Sequence, residues 1–266
     1  MRIYIPTLNR GPEKQWTIRE LGPRIVRKYK ATIVCPPTEL NAFLAAGFDA
    51  VACKAKGIAA TRQWIIEHGV SSDNVVLMLD DDLSSWSWRY DDGEKIGYKR
   101  ATDEQRENGF AGFAALMKSY AHGSIGHRLF ANNRDELEYN TRQLRALAYN
   151  TKIMQKLGVK FRIPVMEDFD VQLQLLKLGH KSIQYNFLTQ EQRGSNEAGG
   201  CSTYRTHQVQ ADAAHRLAKL HPECVTVVEK KLDKGWGGDM GAERTDVRVA
   251  WAKAVKIGEE KSRARK

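Results

Sequence analysis

The sequence predicts an α/β fold in which helices cover both faces of a central sheet. Two observations lead to this prediction. Short β-branched segments alternate with helical segments through the first hundred residues, and this alternation is typical of right-handed strand–helix–strand crossovers. One of the strands, Val75–Leu79, is apolar at every position, which is typical of a strand buried on both faces.

The first half of the chain contains four predicted strands. Residues 3–5 form a short apolar strand that ends at Pro6, and residues 31–35 form a second strand that stops before a Pro-Pro pair. Residues 49–53 and 74–79 are the third and fourth strands. The fourth strand is the most apolar of the set, so we expect it at the centre of the sheet.

Helices are predicted between these strands. The first covers residues 16–26, and Pro23 is expected to break or restart it. The second is predicted to begin with Thr38 as its cap. The third covers residues 58–68. Ligands of such folds bind beyond the carboxyl ends of the strands, so the residues that follow each strand are candidates for the site.

The second half of the chain is less regular. It contains a predicted helix at 107–120 and an amphipathic helix at 167–178. Asn150 is expected to cap a further short helix that Gly158 ends. Strands are predicted in three places: residues 124–130, 143–148 and 181–188.

The composition indicates a basic globular protein. The 42 Lys and Arg residues exceed the 32 Asp and Glu residues and give a formal charge of +10. This excess favours polyanionic partners, although a surface suited to solubility would also explain it. The four cysteines form no Cys-x-x-Cys pair, which argues against zinc and disulfides. No signal peptide or membrane span is predicted, so we expect a cytoplasmic protein with no membrane partner.

Three aspartates, Asp80, Asp81 and Asp82, follow the fourth strand directly. Three adjacent carboxylates repel one another unless a cation offsets their charge. Mg²⁺ or Mn²⁺ would do so and would leave coordination positions open for substrate phosphates. Because alternate residues of an extended segment face the same side, Asp80 and Asp82 can reach one site while Asp81 points elsewhere.

Two further segments carry candidate functional groups. Gly57 begins the third helix, whose free amides could bind a phosphate together with Arg62. Glu167, Asp168 and Asp170 open the helix at 167–178. They could be simple caps, or one of them could be a general base that takes a proton from an acceptor hydroxyl. The sequence does not decide which of the three is the base.

These segments together resemble the GT-A glycosyltransferases. Residues 5–10 resemble the first-strand signature that contacts the nucleotide, and the resemblance assigns Pro6, Thr7, Asn9 and Arg10 to it. Residues 57–62, with Gly57 and Arg62, resemble the segment near the uridine and diphosphate. Residues 80–82 resemble the Asp-x-Asp motif. The nucleotide-sugar-binding residues implied by the resemblance are Pro6, Thr7, Asn9, Arg10, Gly57, Arg62, Asp80 and Asp81.

The resemblance also implies a metal and a base. Mn²⁺ or Mg²⁺ would be bound by Asp82 and Asp80, with His207 as a third ligand in the manner of some GT-A enzymes. Glu167 and Asp168 resemble the later Glu-Asp motif, whose aspartate is the base in inverting members. The implied fold is GT-A-like, with a Rossmann-like nucleotide-sugar-binding half, a mixed central sheet and an acceptor-binding C-terminal part.

More narrowly, the chain resembles the TET-associated glycosyltransferases of phages. This resemblance implies sugar transfer from a UDP-sugar to 5-hydroxymethylcytosine in double-stranded DNA, inside the host cell if the chain is phage-encoded. The target base would have to leave the duplex. The residues expected at the DNA are Trp236 as a wedge and a basic set at the phosphates: Arg193, Arg205, Lys230, Lys231, Lys234 and Arg244.

The expected domain plan has a catalytic part at 1–190 and a C-terminal extension at 191–266 that completes the acceptor site. Within the catalytic part, residues 1–100 bind the donor and 101–190 the acceptor. Other functions remain open: a GT-A enzyme acting on a glycan, lipid or protein, a metal-dependent nuclease or nucleotidyltransferase, and a non-catalytic DNA-binding module. The sequence does not identify the sugar, nor whether the anomeric centre is inverted.

Overall fold

A ten-stranded mixed sheet forms the centre of the computed structural model, which describes residues 1–69, 71–131, 134–192, 200–231 and 243–264. The strand order is β3-β2-β1-β4-β9-β7-β10-β5-β6, with β8 paired to β10. These strands are β1 (Arg2–Pro6), β2 (Thr32–Cys35), β3 (Ala50–Ala52), β4 (Val75–Leu79), β5 (Leu83–Asp91), β6 (Ile96–Arg100), β7 (His122–His127), β8 (Leu137–Tyr139), β9 (Ala146–Asn150) and β10 (Ser182–Gln192).

The directions of the strands determine where the site can form. Strands β1 to β4 run parallel, while β9 is antiparallel to both β4 and β7. Strand β7 therefore points the same way as β4, and β10 is parallel to β7. The carboxyl ends of β1, β4, β7 and β10 consequently lie along one edge of the sheet, which is where α/β folds bind ligands.

Helices cover both faces of the sheet. Those that the structure describes are α1 (Trp16–Tyr29), α2 (Leu40–Ala45), α3 (Ile58–His68), α4 (Asp103–Leu116), α5 (Arg128–Ala131), α6 (Thr151–Leu157), α7 (Glu167–Lys177), α8 (His207–Leu220) and α9 (Trp251–Arg263). Helices α1, α2 and α4 contribute to one apolar cluster. Helices α3, α6 and α7 contribute to the cluster on the opposite face. None of these helices is both long and apolar enough to cross a membrane.

A third apolar cluster joins the C-terminal part to α7. It combines Leu173 and Leu176 of α7 with α8, α9 and a hairpin of β11 (Val225–Lys231) and β12 (Glu243–Val249). Helix α9 comes very close to α7. A Cβ placed on Gly258 would lie 2.0 Å from the Leu176 carbonyl oxygen, so only glycine fits there. The cluster spans the predicted boundary at residue 190, and that boundary remains a prediction.

The α/β class and the mixed sheet are confirmed, and several local predictions hold. Gly22 is non-helical (φ 77°, ψ 161°), so α1 is kinked immediately before Pro23. Asn150 Oδ1 accepts a hydrogen bond from the amide of Ile153, and Gly158 ends α6 in the left-handed conformation. The predicted cap at Thr38 is wrong, because α2 begins at Leu40 after Glu39 and has no side-chain cap.

Two strand predictions also need correction. The predicted strand at 124–130 ends at His127, and the next four residues form α5. Strand β5, which follows Asp82 directly, was not predicted. Its Trp86 is 1% exposed and packs edge-on against Phe110. This side chain therefore belongs to the core.

Candidate active site

The three aspartates occupy the tight connection between β4 and β5. The first turn of α1 holds the backbone of this connection. Thr17 Oγ1 donates to the Asp80 carbonyl oxygen at 2.5 Å and accepts from the amide of Leu83 at 2.9 Å. From the other side, the amide of Asp80 donates to the carbonyl oxygen of Arg145 at 3.0 Å. The triplet is thus fixed at the carboxyl edge of the sheet.

Asp81 points into the protein. Thr7 Oγ1 donates to one carboxylate oxygen and Arg10 Nη1 to the other, both at 2.5 Å. Gln15 Nε2 in turn donates to Thr7 Oγ1 and to the carbonyl oxygen of Arg10, each at 3.0 Å. Burial raises the pKa of Asp81 to about 7, against the opposing effect of Arg10. Asp81 therefore ties the segment after β1 to the triplet.

Asp80 and Asp82 present carboxylate oxygens that the protein does not fully use. Asp82 Oδ2 lies 3.2 Å from Arg10 Nη1, while its Oδ1 is buried with no hydrogen-bond partner among the described residues. The side chain of Asp80 is one-third exposed (33%) and accepts from Arg62 Nη2 at 3.0 Å. Burial, with Asp82 nearby, raises the pKa of Asp80 to about 6 although Arg62 opposes this.

This donor set fits a hard divalent cation. Carboxylate oxygens are the ligands that Mg²⁺ and Mn²⁺ prefer, and a buried acceptor without a partner is costly unless a cation or donor completes it. The described residues contain no group of three or more His, Cys, Asp and Glu side chains that could hold a metal. His207, the first residue of α8, therefore does not complete a three-residue set with Asp80 and Asp82 in this structure.

Arg62 connects the triplet to the first turn of α7. Its guanidinium is 5% exposed and lies 2.5 Å from Glu167 Oε1 as well as 3.0 Å from Asp80 Oδ1. Desolvation raises the pKa of Glu167, and the charge of Arg62 counters that effect. Arg62 is thus a buried bridge between the two carboxylate motifs.

We predict that Arg62→Met lowers the free energy of unfolding by about 3–5 kcal/mol, because it leaves the buried Glu167 without its partner. Chemical denaturation would measure the change. The control is Arg24→Met, which removes a surface pair with Glu107 from a side chain that is 72% exposed. That loss should be under about 1 kcal/mol. Equal effects of the two variants would contradict the buried bridge.

Asp168 lies within electrostatic reach of the same groups. It is half-buried, and its charge contributes to the raised pKa values of Asp80 and Glu167. Its Oδ1 accepts from the amide of Phe169 at 3.0 Å. Unlike Glu167, Asp168 forms no salt bridge to a described residue.

The carboxylate of Asp170 is used entirely in hydrogen bonds within the protein. It is fully buried and accepts hydrogen bonds from Arg162, Gln174 and His221, the last at 2.9 Å. These bonds lower its pKa although burial opposes them. Of the three acids that open α7, Asp170 therefore has no free oxygen for base catalysis.

The structure adds Arg145 and His127, which the sequence analysis did not identify. Arg145 Nη1 contacts His127 Nε2, and the positive charge of Arg145 acts on Asp80 and Asp82. Burial, aided by Arg145 and Arg142, lowers the pKa of His127 to about 4, so its ring is neutral at pH 7. Arg145 adopts a left-handed backbone (φ 66°), as do Asn9 and Met166 beside the other site segments. Such conformations are concentrated at functional sites.

The phosphate-binding role of Gly57 remains a prediction, and one amide of that turn is already used within the protein. Gly57 does have the left-handed backbone (φ 83°) that a close turn requires. However, the amide of Ile58 is not free, because it donates to the Tyr204 hydroxyl at 3.0 Å. Gly200 N also donates to the Leu8 carbonyl oxygen at 2.7 Å. Residues 200–204 therefore cover the segments that follow β1 and β3.

The remaining predicted residues lie in different places. Pro6 ends β1, and the amide of Asn9 donates to Glu39 Oε1 at 3.0 Å. In the β11–β12 hairpin, Lys230 and Arg244 both bond to Asp246 Oδ2, at 2.9 and 2.7 Å, and Lys231 is exposed. Arg205 donates to Gln210 Oε1. The other three predicted DNA-binding residues, Arg193, Lys234 and Trp236, lie outside the described residues.

Comparison with known proteins gives a family match. A family model described as TET-Associated Glycosyltransferase matches residues 1–200. No curated protein matches the chain.

Several solved structures are similar. Mannosyltransferase PcManGT from Pyrobaculum calidifontis, solved with GDP-Man and Mn²⁺, is 14% identical, with a TM-score of 0.50 over 82% of this chain and 62% of that one. S. aureus TarS, solved with UDP, is 12% identical, with a TM-score of 0.46 over 83% and 65%. CMP:2-keto-3-deoxy-manno-octonic acid synthetase, solved with CTP, is 15% identical, with a TM-score of 0.41 over 70% and 88%. The chain spans less than two-thirds of the first two proteins. The mannosyltransferase match shows a shared fold.

Proposed function

Because the chain belongs to the TET-associated glycosyltransferase family and is a nucleotide-sugar glycosyltransferase, we propose that it transfers a sugar from a UDP-sugar to the hydroxymethyl group of 5-hydroxymethylcytosine in double-stranded DNA. The observation that carries the proposal is the carboxylate cluster at the carboxyl edge of the sheet. There Asp82 has an unpartnered oxygen, and Asp168 is close enough to raise the pKa of Asp80.

Donor binding is assigned to residues 1–100. Thr7, Arg10 and Asp81 form one hydrogen-bonded unit beside Asp82, so the segment after β1 is held next to the triplet. Arg62 is buried between Asp80 and Glu167, where it fixes both side chains. These residues orient the nucleotide and its diphosphate. Pro6, Asn9 and Gly57 shape the backbone around them.

A divalent cation, Mn²⁺ or Mg²⁺, would be held by Asp82 and Asp80. When bound, it supplies Lewis-acid stabilisation of the negative charge that develops on the departing diphosphate. Arg145 adds a second positive charge beside the same aspartates. The cation and Arg145 would both lie where negative charge develops in the transition state, which is where electrostatic stabilisation is most effective.

Asp168 is the proposed general base of an inverting reaction. It would remove the proton from the hydroxymethyl oxygen, and this oxygen would attack the anomeric carbon as the bond to the diphosphate breaks. Glu167 positions Asp168 and Arg62 through its buried ion pair. Residues 101–190 and 191–266 would form the acceptor site, and the net charge of +10 suits a DNA partner.

The test is incubation with a panel of UDP-sugars, Mn²⁺, and duplex DNA with or without hydroxymethylated cytosine, followed by mass spectrometry of the nucleosides. The expected product is a glycosylated nucleoside that forms only on hydroxymethylated DNA. Release of UDP without a modified nucleoside would indicate a glycan, lipid or protein acceptor. Cleavage of the DNA strand would indicate a nuclease instead.

A further inference from the structure

Two adjacent apolar side chains are exposed at the edge of the sheet that carries the aspartates. They belong to the β7–α5 corner, by which we mean residues His127 to Phe130. Leu129 is 68% exposed and Phe130 is 55% exposed. Single exposed apolar residues are common on protein surfaces. Two consecutive ones beside a candidate active site require a different explanation.

A short series of contacts joins this corner to the triplet. The ring of Phe130 lies 5.1 Å from the ring of His127, centroid to centroid. His127 Nε2 contacts Arg145 Nη1, and the charge of Arg145 acts on Asp80 and Asp82. Phe130 is therefore linked to the carboxylates through His127 and Arg145, by side-chain contact as far as Arg145 and by its charge beyond it.

Three arginines lie near the corner. Arg142 is exposed, and its guanidinium carbon lies 4.6 Å from the centre of the Phe169 ring. Phe169 directly follows Asp168 in the sequence. Arg142 and Arg145 both act on the pKa of His127. Arg128 lies over the ring of Tyr98 at 5.0 Å. Exposed aromatic and apolar side chains beside arginines are the combination that binds unstacked bases and their phosphates.

We propose that the β7–α5 corner is the surface that opens the acceptor duplex. This inference rests on the proposed function. Phe130 stacks on a base next to the target, Leu129 is the apolar wedge, and Arg142 binds a phosphate of the same strand. Proteins that kink DNA insert apolar side chains between base steps in this way. The corner thus holds the duplex open while the extruded base reaches Asp168.

The first test measures base unstacking without any sugar transfer. The probe is a duplex with 2-aminopurine beside hydroxymethylcytosine, whose fluorescence rises when the base leaves the stack. Wild-type protein should raise the signal at saturating concentration. Phe130→Ala should lose most of this rise, and Phe130→Trp should restore it. Leu44→Ala removes another exposed apolar side chain (50%) and should behave as wild type. No signal rise with wild-type protein would overturn the proposal.

The second test compares rates of transfer to duplex and single-stranded acceptors. Phe130→Ala should lower kcat/KM on the duplex by about 10- to 100-fold, and by much less on single strands, because these need no opening. Equal losses on both acceptors would overturn the role in opening. The two tests separate the proposals: if wild type unstacks the probe through Phe130 but transfers no sugar, the function fails and the surface stands. If transfer to the duplex is unaffected by Phe130→Ala, the reverse holds.

Discussion

Asp168→Asn should lower kcat for sugar transfer by about 10²- to 10⁴-fold, the range expected when a general base is lost. The amide has nearly the same shape as the carboxylate but cannot accept the proton of the acceptor hydroxyl. The affinity for the donor should stay within about threefold of wild type, because the proposed base would act on the acceptor and not on the nucleotide. Single-turnover kinetics and titration calorimetry with UDP measure the two quantities separately.

Asp212→Asn is the matched control for this variant, since it removes one carboxylate charge from an exposed position on α8. It should transfer sugar at the wild-type rate. A variant Asp168→Asn that turns over normally with donor and metal bound would remove Asp168 from the role of base. Equal weakening of UDP binding and turnover would point to a donor-binding role instead.

The second large effect concerns Asp81 and Asp82, whose replacement by asparagine should have different consequences: loss of stability in the first case and loss of activity in the second. Asp82→Asn should lower kcat/KM by about 10²- to 10⁴-fold, because the carboxylate that would hold the cation is lost. Its stability should change little, since the relief of repulsion between adjacent carboxylates offsets the loss of its ion pair with Arg10. Asp81→Asn should instead lower the free energy of unfolding by about 3–5 kcal/mol, because it breaks the buried pair with Arg10.

Thermal unfolding and Mn²⁺-dependent UDP binding together distinguish the two variants. Asp82→Asn should keep its melting temperature and lose the metal dependence of binding. If Asp82→Asn unfolds as readily as Asp81→Asn, the role of Asp82 is structural and the proposed metal site is wrong.

Much of the structure of residues 1–100 could be predicted because its signals are local. The apolar run Val75–Leu79 identifies the central strand, and that strand delivers Asp80 to Asp82 to the edge of the sheet. The alternation of side-chain direction along an extended segment also predicts that Asp81 points away from the site that its neighbours face. In the structure Asp81 is buried and hydrogen-bonded to Thr7 and Arg10. Neither inference needs information from distant parts of the chain.

The remainder depends on contacts between distant segments. Arg62 and Glu167 are 105 positions apart, and nothing near either one indicates that they pair. Arg145 reaches the triplet only because β9 is inserted beside β4 in antiparallel orientation, a pairing that local periodicity does not reveal. Tyr204 likewise reaches Ile58 from a separate region, and its hydroxyl takes the amide that the sequence assigned to a phosphate.

The close approach of α9 to α7 has a consequence for protein engineering. Helix α7 carries Asp168 at its start, and its C-terminal end, at Leu176, packs against Gly258 with no room for a larger side chain. A chimera that takes residues 1–200 from this chain would remove α9, against which the C-terminal end of α7 packs. Any graft of residues 1–200 should therefore include the last helix, with a glycine where it crosses α7.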